Sequence, residues 1–341
     1  QRLKIMSTYK EIFGKYVRSV GSDPSVALGT GEIWYNTSSN TFKSVGLSGS
    51  WSSANNTSNT SRTRALAGTQ TAAFIAGGYN GANSQTRATE EYDGTNWTSG
   101  GDLSPQGNPD GGTFNAAATG TQTAGLFAGG SAQGSTDYYF DKSYEYDGSS
   151  WASPATFTTA RAAGGLFGLQ TAAVLAGGTS PPNPFTATVR EYNGSSWTDV
   201  TSLPFGRAHS GCGGTQTAGM VFGGQAPSQS PGYNTGAALD YDGTNWTAGG
   251  SLPEYKDDGN SSGNGTQTSM LYAKGYNGTA TVATAFQYNG TSWAATGSAN
   301  TAASSLRSGG GTGTTALSAG GSPSNSEEFS SATGIVTLST S

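Results

Sequence analysis

The sequence predicts an all-β protein, a β-propeller of six repeated four-stranded units, from its composition and from an internal repeat. Glycine accounts for 54 of the 341 residues and charged residues for only 11%, which alone would suit a disordered chain. However, the 7 Trp, 16 Tyr and 13 Phe supply large apolar side chains that disordered chains lack. Short strands joined by tight turns rich in Gly and Asn account for both features.

The internal repeat is the stronger of the two observations. The string GTQTA, or a close variant of it, recurs with its glutamine 52, 48, 46 and 51 residues apart. A degenerate sixth copy, GTGTTALSAGG, runs from Gly311 to Gly321. Each copy continues to a Gly-Gly pair, except that the fifth copy has Lys274-Gly275 at this position. Periods of roughly 40–50 residues with strand and turn signals are typical of propeller blades. The five glutamines are Gln70, Gln122, Gln170, Gln216 and Gln267.

The first five copies end in Tyr-Asp/Asn-Gly-x-x-Trp. Asp-Gly and Asn-Gly are strong hairpin signals, so the pattern predicts a third strand ending in Tyr and a fourth strand carrying Trp. Both aromatics are expected to pack between blades, each contributing roughly 1.5–3 kcal/mol of burial. In the last copy Phe329 takes the Tyr position and Ile335 or Val336 the Trp position. The predicted structural aromatics are Tyr92, Trp97, Tyr146, Trp151, Tyr192, Trp197, Tyr241, Trp246, Tyr288 and Trp293.

A Gly-Gly pair followed by Tyr and then Trp, repeated over residues 62–341, resembles the kelch repeat and implies a six-bladed kelch-like β-propeller. The succession of the motifs GTQTA, AGG and YDGTNW also resembles kelch-like repeats in structural proteins of marine bacteriophages. Upstream, GEIWYNTSSNTFK (Gly31 to Lys43) resembles a short hairpin module of phage tail-fibre and virion proteins. Together these resemblances imply a structural protein of the phage virion: a tail fibre, appendage or decoration component.

Residues 1–25 are predicted to form an N-terminal anchoring arm, and residues 26–61 a β-hairpin module and linker. Tyr9, Ile12, Phe13, Tyr16 and Val17 fall on one helical stripe that continues to Val20. Residues 1–18 also carry five basic groups and one acidic group. We expect a basic amphipathic arm that docks into other virion proteins, the alternative being an extended arm packed on the protein's own body.

Two ways of closing the propeller are open. Trp51 lies 46 residues before Trp97, so Phe42 to Trp51 imitates the fourth strand of a blade and would complete the sixth. Alternatively GIVTL (Gly334 to Leu338) completes that blade and the N-terminal hairpin packs outside it. The second closure is favoured, because Glu327-Glu328-Phe329 and GIVTL together supply a third and a fourth strand.

Strand alternation places the short repeated turns on one side of the ring and the long, variable connections on the other. Loops on a rigid scaffold are common binding surfaces, and Tyr among Asn, Ser and Gly is adaptable. We therefore expect this variable face to contact a host-surface glycan or a neighbouring virion protein; in the alternative, the aromatics fold back onto the blades. The ligand-face candidates are Tyr138, Tyr139, Phe140, Phe185, Tyr233 and Tyr255.

Charge and residue usage exclude several function classes. A net charge of −5 argues against a nucleic-acid partner, and the longest apolar runs are too short for membrane insertion. His209 is the only histidine, which excludes a copper oxidase site of the kelch type and a His-rich zinc site. In the Gly-rich segment RAHSGCGG, both His209 and Cys212 are expected to be packed strand residues. No catalytic residue, cofactor or metal ligand is predicted.

Two weaker signals in the sequence are compatible with a carboxylate-binding site and with a calcium site. Arg161, Arg207 and Arg307 precede the first strands of three blades and could clamp a carboxylate, as in a sialidase, although pairing with backbone carbonyls is favoured. YDGTNW lacks one residue of the sialidase Asp box. The segment Asp257-Asp258-Gly259-Asn260 could bind calcium, although a solvated turn is the default.

The function expected is a non-enzymatic binding scaffold of the virion. Its partners are other virion proteins through the arm, with a host-surface glycan or receptor, or a second copy of the chain, as further options. The alternatives are a cellular kelch-type protein-interaction scaffold and, less favoured, a glycan-active propeller enzyme.

Overall fold

The computed structural model describes residues 17–24, 32–80, 85–103, 112–132, 138–182, 185–227, 234–306 and 309–338. Over these ranges every regular element is a β-strand and there is no helix. The described residues accordingly offer no helical segment of the length and apolarity needed to cross a membrane. The chain divides into two compact units, Gln1–Gly49 with Ser331–Ser341, and Ser50–Ser330.

The first unit contains a small sheet. Strand β1 (Arg18–Val20) pairs in parallel with β2 (Ile33–Asn36), which pairs antiparallel with β3 (Thr41–Ser53) across the turn Thr37–Asn40. The buried Trp34 donates its indole N–H to Asp23 at 3.0 Å, and the Asn36 amide donates to the same carboxylate at 2.7 Å. These bonds, that of Asn36 most, lower the pKa of Asp23.

The helical stripe expected through Val20 is wrong at its C-terminal end. Arg18–Val20 form a strand because their backbone pairs with Trp34–Asn36, an interaction that a local periodicity cannot anticipate. Val17 is buried immediately before this strand. The other four residues of the proposed docking stripe, Tyr9, Ile12, Phe13 and Tyr16, lie outside the described residues.

The second unit contains the repeated sheets. Its strands in chain order are β4 (Ala65–Gly68), β5 (Ala73–Ala76), β6 (Thr89–Tyr92), β7 (Trp97–Ser99), β8 (Ala117–Thr121), β9 (Ala124–Ala128), β10 (Ser131–Ala132), β11 (Tyr138–Tyr139), β12 (Lys142–Tyr146), β13 (Trp151–Thr156), β14 (Gly165–Leu169), β15 (Ala172–Ala176), β16 (Val189–Tyr192), β17 (Trp197–Val200), β18 (Gly211–Thr215), β19 (Ala218–Phe222), β20 (Ala238–Tyr241), β21 (Trp246–Ala248), β22 (Asn260–Ser261), β23 (Met270–Ala273), β24 (Ala285–Tyr288), β25 (Trp293–Thr296), β26 (Gly310–Gly311) and β27 (Thr315–Ser318). The last strand, β28 (Glu327–Leu338), runs through both units, as β3 does.

Among the described residues five sheets are four-stranded antiparallel meanders, each with its strands in chain order: β4 to β7, β8-β9-β12-β13, β14 to β17, β18 to β21 and β22 to β25. A two-stranded ribbon, β10-β11, is attached to the second repeat. The remaining sheet has the order β1-β2-β3-β28-β27-β26. In the second unit, Ser50–Ser53 of β3 therefore occupy the position of the fourth strand in the other sheets.

This strand order selects the first of the two closures and overturns the favoured one. Trp51 packs on Phe329, with 5.2 Å between ring centroids, and its indole N–H donates to Gly297 at 2.8 Å. Trp51, not Ile335 or Val336, thus occupies the Trp position of the last repeat. The physical reason is that no Asp-Gly turn follows Phe329, so β28 continues without reversing and GIVTL cannot return beside it.

Neighbouring repeats meet through their first strands. Strand β4 contacts β8, β8 contacts β14, β14 contacts β18, β18 contacts β22, and β26 contacts β4. Glycine also allows close contact beside these strands: a Cβ on Gly219, in the second strand β19, would lie 2.0 Å from the Phe167 ring of the preceding repeat. The all-β, propeller-like fold that the sequence predicts is confirmed.

Just before each first strand, one residue adopts the left-handed conformation, with φ between 52° and 60°. Its carbonyl accepts a backbone N–H from the next repeat: Asn115 donates to Thr63, Ala163 to Asn115, His209 to Ala163, Asp258 to His209, and Leu306 to Asp258, at 2.7–3.3 Å. The amide of Thr63 donates to Ser305 at 3.0 Å, so the series returns to its start. The six residues are Thr63, Asn115, Ala163, His209, Asp258 and Ser305.

Candidate functional site

The recurring tyrosine and tryptophan form one closely packed ring pair in each of the first five repeats, and their rings are inclined by 28–36°. They lie opposite each other across the turn, as Tyr192 does with Trp197, and their ring centroids are 4.6–5.0 Å apart. The tyrosines are 0–4% exposed, whereas the tryptophans are half-buried except for Trp293 at 7%. These aromatics therefore lie within the packed sheets and are not presented to a ligand.

Each tyrosine hydroxyl in four of these repeats donates to a carboxylate of the preceding repeat. The acceptor is the Glu that precedes the previous repeat's own aromatic, as when Tyr192 donates to Glu145 at 2.9 Å. Burial, followed by the bond to the carboxylate, raises the pKa of these tyrosines. The other bonds are Tyr92 to Glu328, Tyr146 to Glu91 and Tyr241 to Glu191, at 2.7–2.8 Å.

The contact between the fifth and the last repeat departs from this pattern at both of its positions. Phe329 has no hydroxyl, and the residue that would accept from it is Gln287 rather than Glu. Gln287 instead donates its amide to Gly313 at 2.7 Å. A carboxylate at position 287 would be buried without its donor, so the two changes compensate each other.

The glutamine of the GTQT turn links each repeat to the one before it. Its amide nitrogen carries two protons and can donate to two carbonyls, which Ser or Thr cannot do. Gln170, for example, donates to Gly125 and to Tyr146, both at 3.0 Å. Gln122, Gln216 and Gln267 make the corresponding pairs of bonds, and Gln70 donates to Phe329 and to Ser330. Sequence reasoning used this glutamine only as a marker of the repeat.

The ligand-face candidates lie in connections of different repeats. Tyr139 is half-buried in the β10-β11 ribbon, Phe140 is 7% exposed, and Phe185 is half-buried in the third repeat. Tyr255 is 49% exposed and lines a cleft of 420 Å³ with Leu252 and Pro253. The backbone of Tyr138 belongs to the ribbon, opposite Ala132, and Tyr233 lies outside the described residues.

The prediction that His209 is a packed strand residue is wrong. His209 lies two residues before β18, in the left-handed conformation, and its Nδ1 is 2.7 Å from Asp258 of the next repeat. The neighbouring Asp257 is 1% exposed and bonds to the Gln225 amide, so this segment is not a solvated turn. Within the described ranges no group of three or more His, Cys, Asp or Glu side chains could hold a metal ion.

Two of the three arginines suggested as a carboxylate clamp are directed to backbone carbonyls instead. Arg161 and Arg207 are each 1% exposed and donate to backbone carbonyls, Arg161 to Gly177 and Thr188 at 3.0 Å. Burial lowers the pKa of Arg161 to about 9 and that of Arg207 to about 10. Arg307 lies outside the described residues. Cys212 is confirmed as a packed residue, since it is 2% exposed in β18 and burial raises the pKa of its thiol to about 12.

A polar cleft beside the first repeat was not anticipated. It has a volume of 470 Å³, and Ser58–Ser61 form one wall while Gln85, Thr86 and residues 88–90 form another. Ser58 donates both its N–H and its hydroxyl to Glu90, at 2.7 and 2.6 Å, and Arg64 pairs with the other carboxylate oxygen. Burial alone would raise the pKa of Glu90, but the Arg64 charge and Ser58 outweigh it and lower that pKa.

Comparisons with known proteins give a fold but no family. No protein-family model matches the sequence, and no curated protein matches it significantly. The solved structure of YjhT is similar, with a TM-score of 0.66 and 14% identity, over 84% of this chain and 100% of that one. At this identity the similarity concerns the fold alone.

Proposed function

We propose that this chain is a six-bladed kelch-like β-propeller that serves as a non-enzymatic structural and binding scaffold of a bacteriophage particle. The observation that carries the proposal is that the recurring polar side chains bond to neighbouring repeats. The glutamines bond to carbonyls, as Gln170 does, and the tyrosines to glutamates, as Tyr192 does. Repeated residues that bond one repeat to the next favour a rigid support. The repeats then differ mainly in their connections.

The phage assignment rests on the resemblances of the repeats and of the segment Gly31 to Lys43 to phage structural proteins. The position of that segment in the fold supports a docking role. Its residues Ile33–Asn36 form β2, between β1 and β3, in the unit Gln1–Gly49 with Ser331–Ser341, and the basic residues 1–18 belong to the same unit. We propose that this terminal unit docks the protein onto other virion proteins, and that the variable connections face a host-surface glycan or a neighbouring virion protein.

The test of location is biochemical. Phage particles carrying this coding sequence are banded on a density gradient and probed with an antibody raised against the recombinant chain. We expect the chain to migrate with intact particles and to be labelled on their surface by immunogold microscopy. A chain that stays in the soluble fraction and never reaches assembled particles would show that it is not a virion component.

The test of docking uses two variants of the full chain. The double variant Tyr9→Ala/Phe13→Ala is expected to lower incorporation into particles several-fold. The matched control, Tyr138→Ala/Tyr139→Ala, should be incorporated normally and should reduce adsorption to host cells if the variable face binds them. Equal incorporation of the parent chain and both variants would show that the arm does not dock the protein.

A further inference from the structure

An Asn-Gly pair forms part of an exposed turn in the third repeat. Asn193 is exposed and precedes Gly194, whose φ is 90°, in the turn between β16 and β17. The side-chain oxygen of Asn193 accepts from the backbone N–H groups of Ser195 and Ser196, at 3.0 and 2.9 Å. It also accepts from the hydroxyls of the same two serines, at 3.0 and 3.3 Å. Four donors thus converge on one carbonyl oxygen.

This arrangement favours attack on the Asn193 side chain by the backbone of the next residue. The bonds to Ser195 and Ser196 fold the carboxamide over the turn, which brings its carbon Cγ to the side of the intervening Gly194 nitrogen. Glycine has no side chain that would shield this nitrogen. When the nitrogen attacks, negative charge develops on the carbonyl oxygen, and the four donors stabilise that charge as an oxyanion hole does.

We propose that Asn193 is a site of spontaneous deamidation. The Gly194 nitrogen loses its proton to a base in the solvent and forms a bond to Cγ of Asn193. Ammonia then leaves with a proton taken from the solvent, and a succinimide ring remains. Water opens this ring: cleavage of the new bond from Cγ to nitrogen leaves aspartate at position 193, and cleavage of the original peptide bond leaves isoaspartate. Water is the only other reactant, and the step is independent of any role in a phage particle.

The second repeat contains the aspartate form of the same turn. Its sequence YDGSSW differs from YNGSSW of the third repeat only by Asp147 in place of Asn193. One oxygen of Asp147 accepts from the N–H and hydroxyl of Ser149 and from the N–H of Ser150, each at 2.8 Å, and the other accepts from the Ser150 hydroxyl at 3.1 Å. These bonds, that of the Ser150 N–H most, lower the pKa of Asp147 to about 2. Deamidation replaces an amide nitrogen, which cannot accept the last bond, with an oxygen that can.

A similar turn in the fifth repeat differs in one respect. Asn277 also precedes a glycine, of φ 91°, and its oxygen accepts from Thr279 twice and from Ala280, at 2.9–3.1 Å. Its amide nitrogen, however, donates to Glu254 at 3.1 Å, and the residue is half-buried. This bond holds the nitrogen that must depart as ammonia. We therefore expect Asn277 to react several-fold more slowly than Asn193.

The test is peptide mapping by mass spectrometry after the full chain has been incubated in mildly alkaline water enriched in heavy oxygen, which marks every side chain converted during the incubation. Trypsin cleavage after Arg190 and Arg207 releases a peptide in which Asn193 is the single asparagine. Asn277 lies in the tryptic peptide 275–306 and is read by fragmentation. We expect Asn193 to convert several-fold faster than Asn277 in the folded chain, and the two rates to become similar in urea.

Three variants test the role of the turn. The double variant Ser195→Ala/Ser196→Ala removes two of the four donors and should slow conversion of Asn193 several-fold. The matched control, Ser149→Ala/Ser150→Ala, removes the same two hydroxyls beside Asp147 and should leave the rate at Asn193 unchanged. The product variant N193D should melt cooperatively, at a temperature no lower than that of the parent chain.

Three outcomes would overturn the inference. In the first, Asn193 converts no faster than Asn277 in the folded chain. In the second, the difference between the two asparagines persists in urea, so that it does not come from the folded turn. In the third, the variant without the two serine hydroxyls melts cooperatively but converts as fast as the parent chain. A clearly lower melting temperature of N193D would likewise show that the turn does not accept the aspartate product.

Discussion

The hydroxyl of Tyr192 donates to Glu145 of the preceding repeat, and Tyr192 is buried while Glu145 is half-buried. Replacing Tyr192 with Phe keeps the ring and its contact with Trp197 but leaves the carboxylate without that donor. A hydrogen bond to a charged group contributes about 1.5–3 kcal/mol. We therefore expect Y192F to lower the free energy of unfolding, measured in urea, by that amount.

Tyr288→Phe is the matched control for this prediction. The Tyr288 hydroxyl has the backbone amide of Gly250 as its partner rather than a donated bond to a glutamate. The loss should accordingly be that of a neutral bond, about 0.5–1.5 kcal/mol. Equal losses in Y192F and Y288F would show that the carboxylates contribute nothing particular to the contact between repeats.

Lys256 makes stability depend on pH in a predictable direction. It stands where Arg161 and Arg207 stand in the two preceding repeats, with its ammonium 4.8 Å from the Phe286 ring and 2.9 Å from the Thr284 carbonyl. Burial lowers its pKa to about 7, against an ordinary value near 10.4 in the unfolded chain. Between these values the unfolded state binds the extra proton, so stability rises with pH across this window.

The variant Lys256→Met removes this dependence. Below about pH 7 both states of the parent are protonated and the burial cost is fully present, and near pH 10 it is largely gone. We expect K256M to gain most relative to the parent at pH 7 and least at pH 10, in urea unfolding at both pH values. A difference that is constant with pH would mean that Lys256 is not charged differently in the two states.

At the scale of the strand, Trp51 joins the two ends of the chain within the repeat unit. Its ring packs on Phe329, it is 8% exposed, and the indole N–H donates to Gly297. Removing a buried Trp side chain costs about 3–5 kcal/mol. We predict that W51A lowers the main unfolding transition of the repeat unit, measured by differential scanning calorimetry.

Trp34→Ala is the matched control, because Trp34 is also buried but belongs to the other unit. W34A should leave the main transition in place and change only the signal of the smaller unit. If W34A and W51A lower the main transition equally, Trp51 has no special part in closing the last sheet.

Local chemistry explains which elements were predictable from the sequence. The strands and turns of the repeat follow from Asp-Gly or Asn-Gly turns and from short apolar runs, and these signals act between neighbours in the chain. The place of Trp51 depends on Phe329, and the cleft depends on Ser58 meeting Glu90. Neither pairing leaves a local pattern, although the recurring Glu-Tyr dipeptide was a visible signal for the bonds between repeats.

For the whole molecule, the proposed closed ring can be tested against an open stack, and the series of backbone bonds from Thr63 back to Ser305 supports the ring. In an open stack each repeat contacts only its neighbours, so an internal repeat can be removed and the rest still folds. In a closed ring the same removal forces the remaining repeats to widen every angle between sheets, or leaves two first strands uncovered. The six-bladed proposal therefore predicts that repeat number itself determines stability.

The decisive variant deletes residues 209–257, which joins Ala208 to Asp258 and preserves the register of the other repeats because His209 and Asp258 are equivalent positions. We expect this chain to lose its cooperative thermal transition and its protection from hydrogen exchange in the first strands. The control is a circular permutant that keeps all six repeats and opens between Thr279 and Ala280, both of which are exposed. It should melt cooperatively, since every contact between first strands is retained. A five-repeat chain as stable as the permutant would mean that the repeats stack without closing, and the ring would then have to be abandoned as the basis of the scaffold.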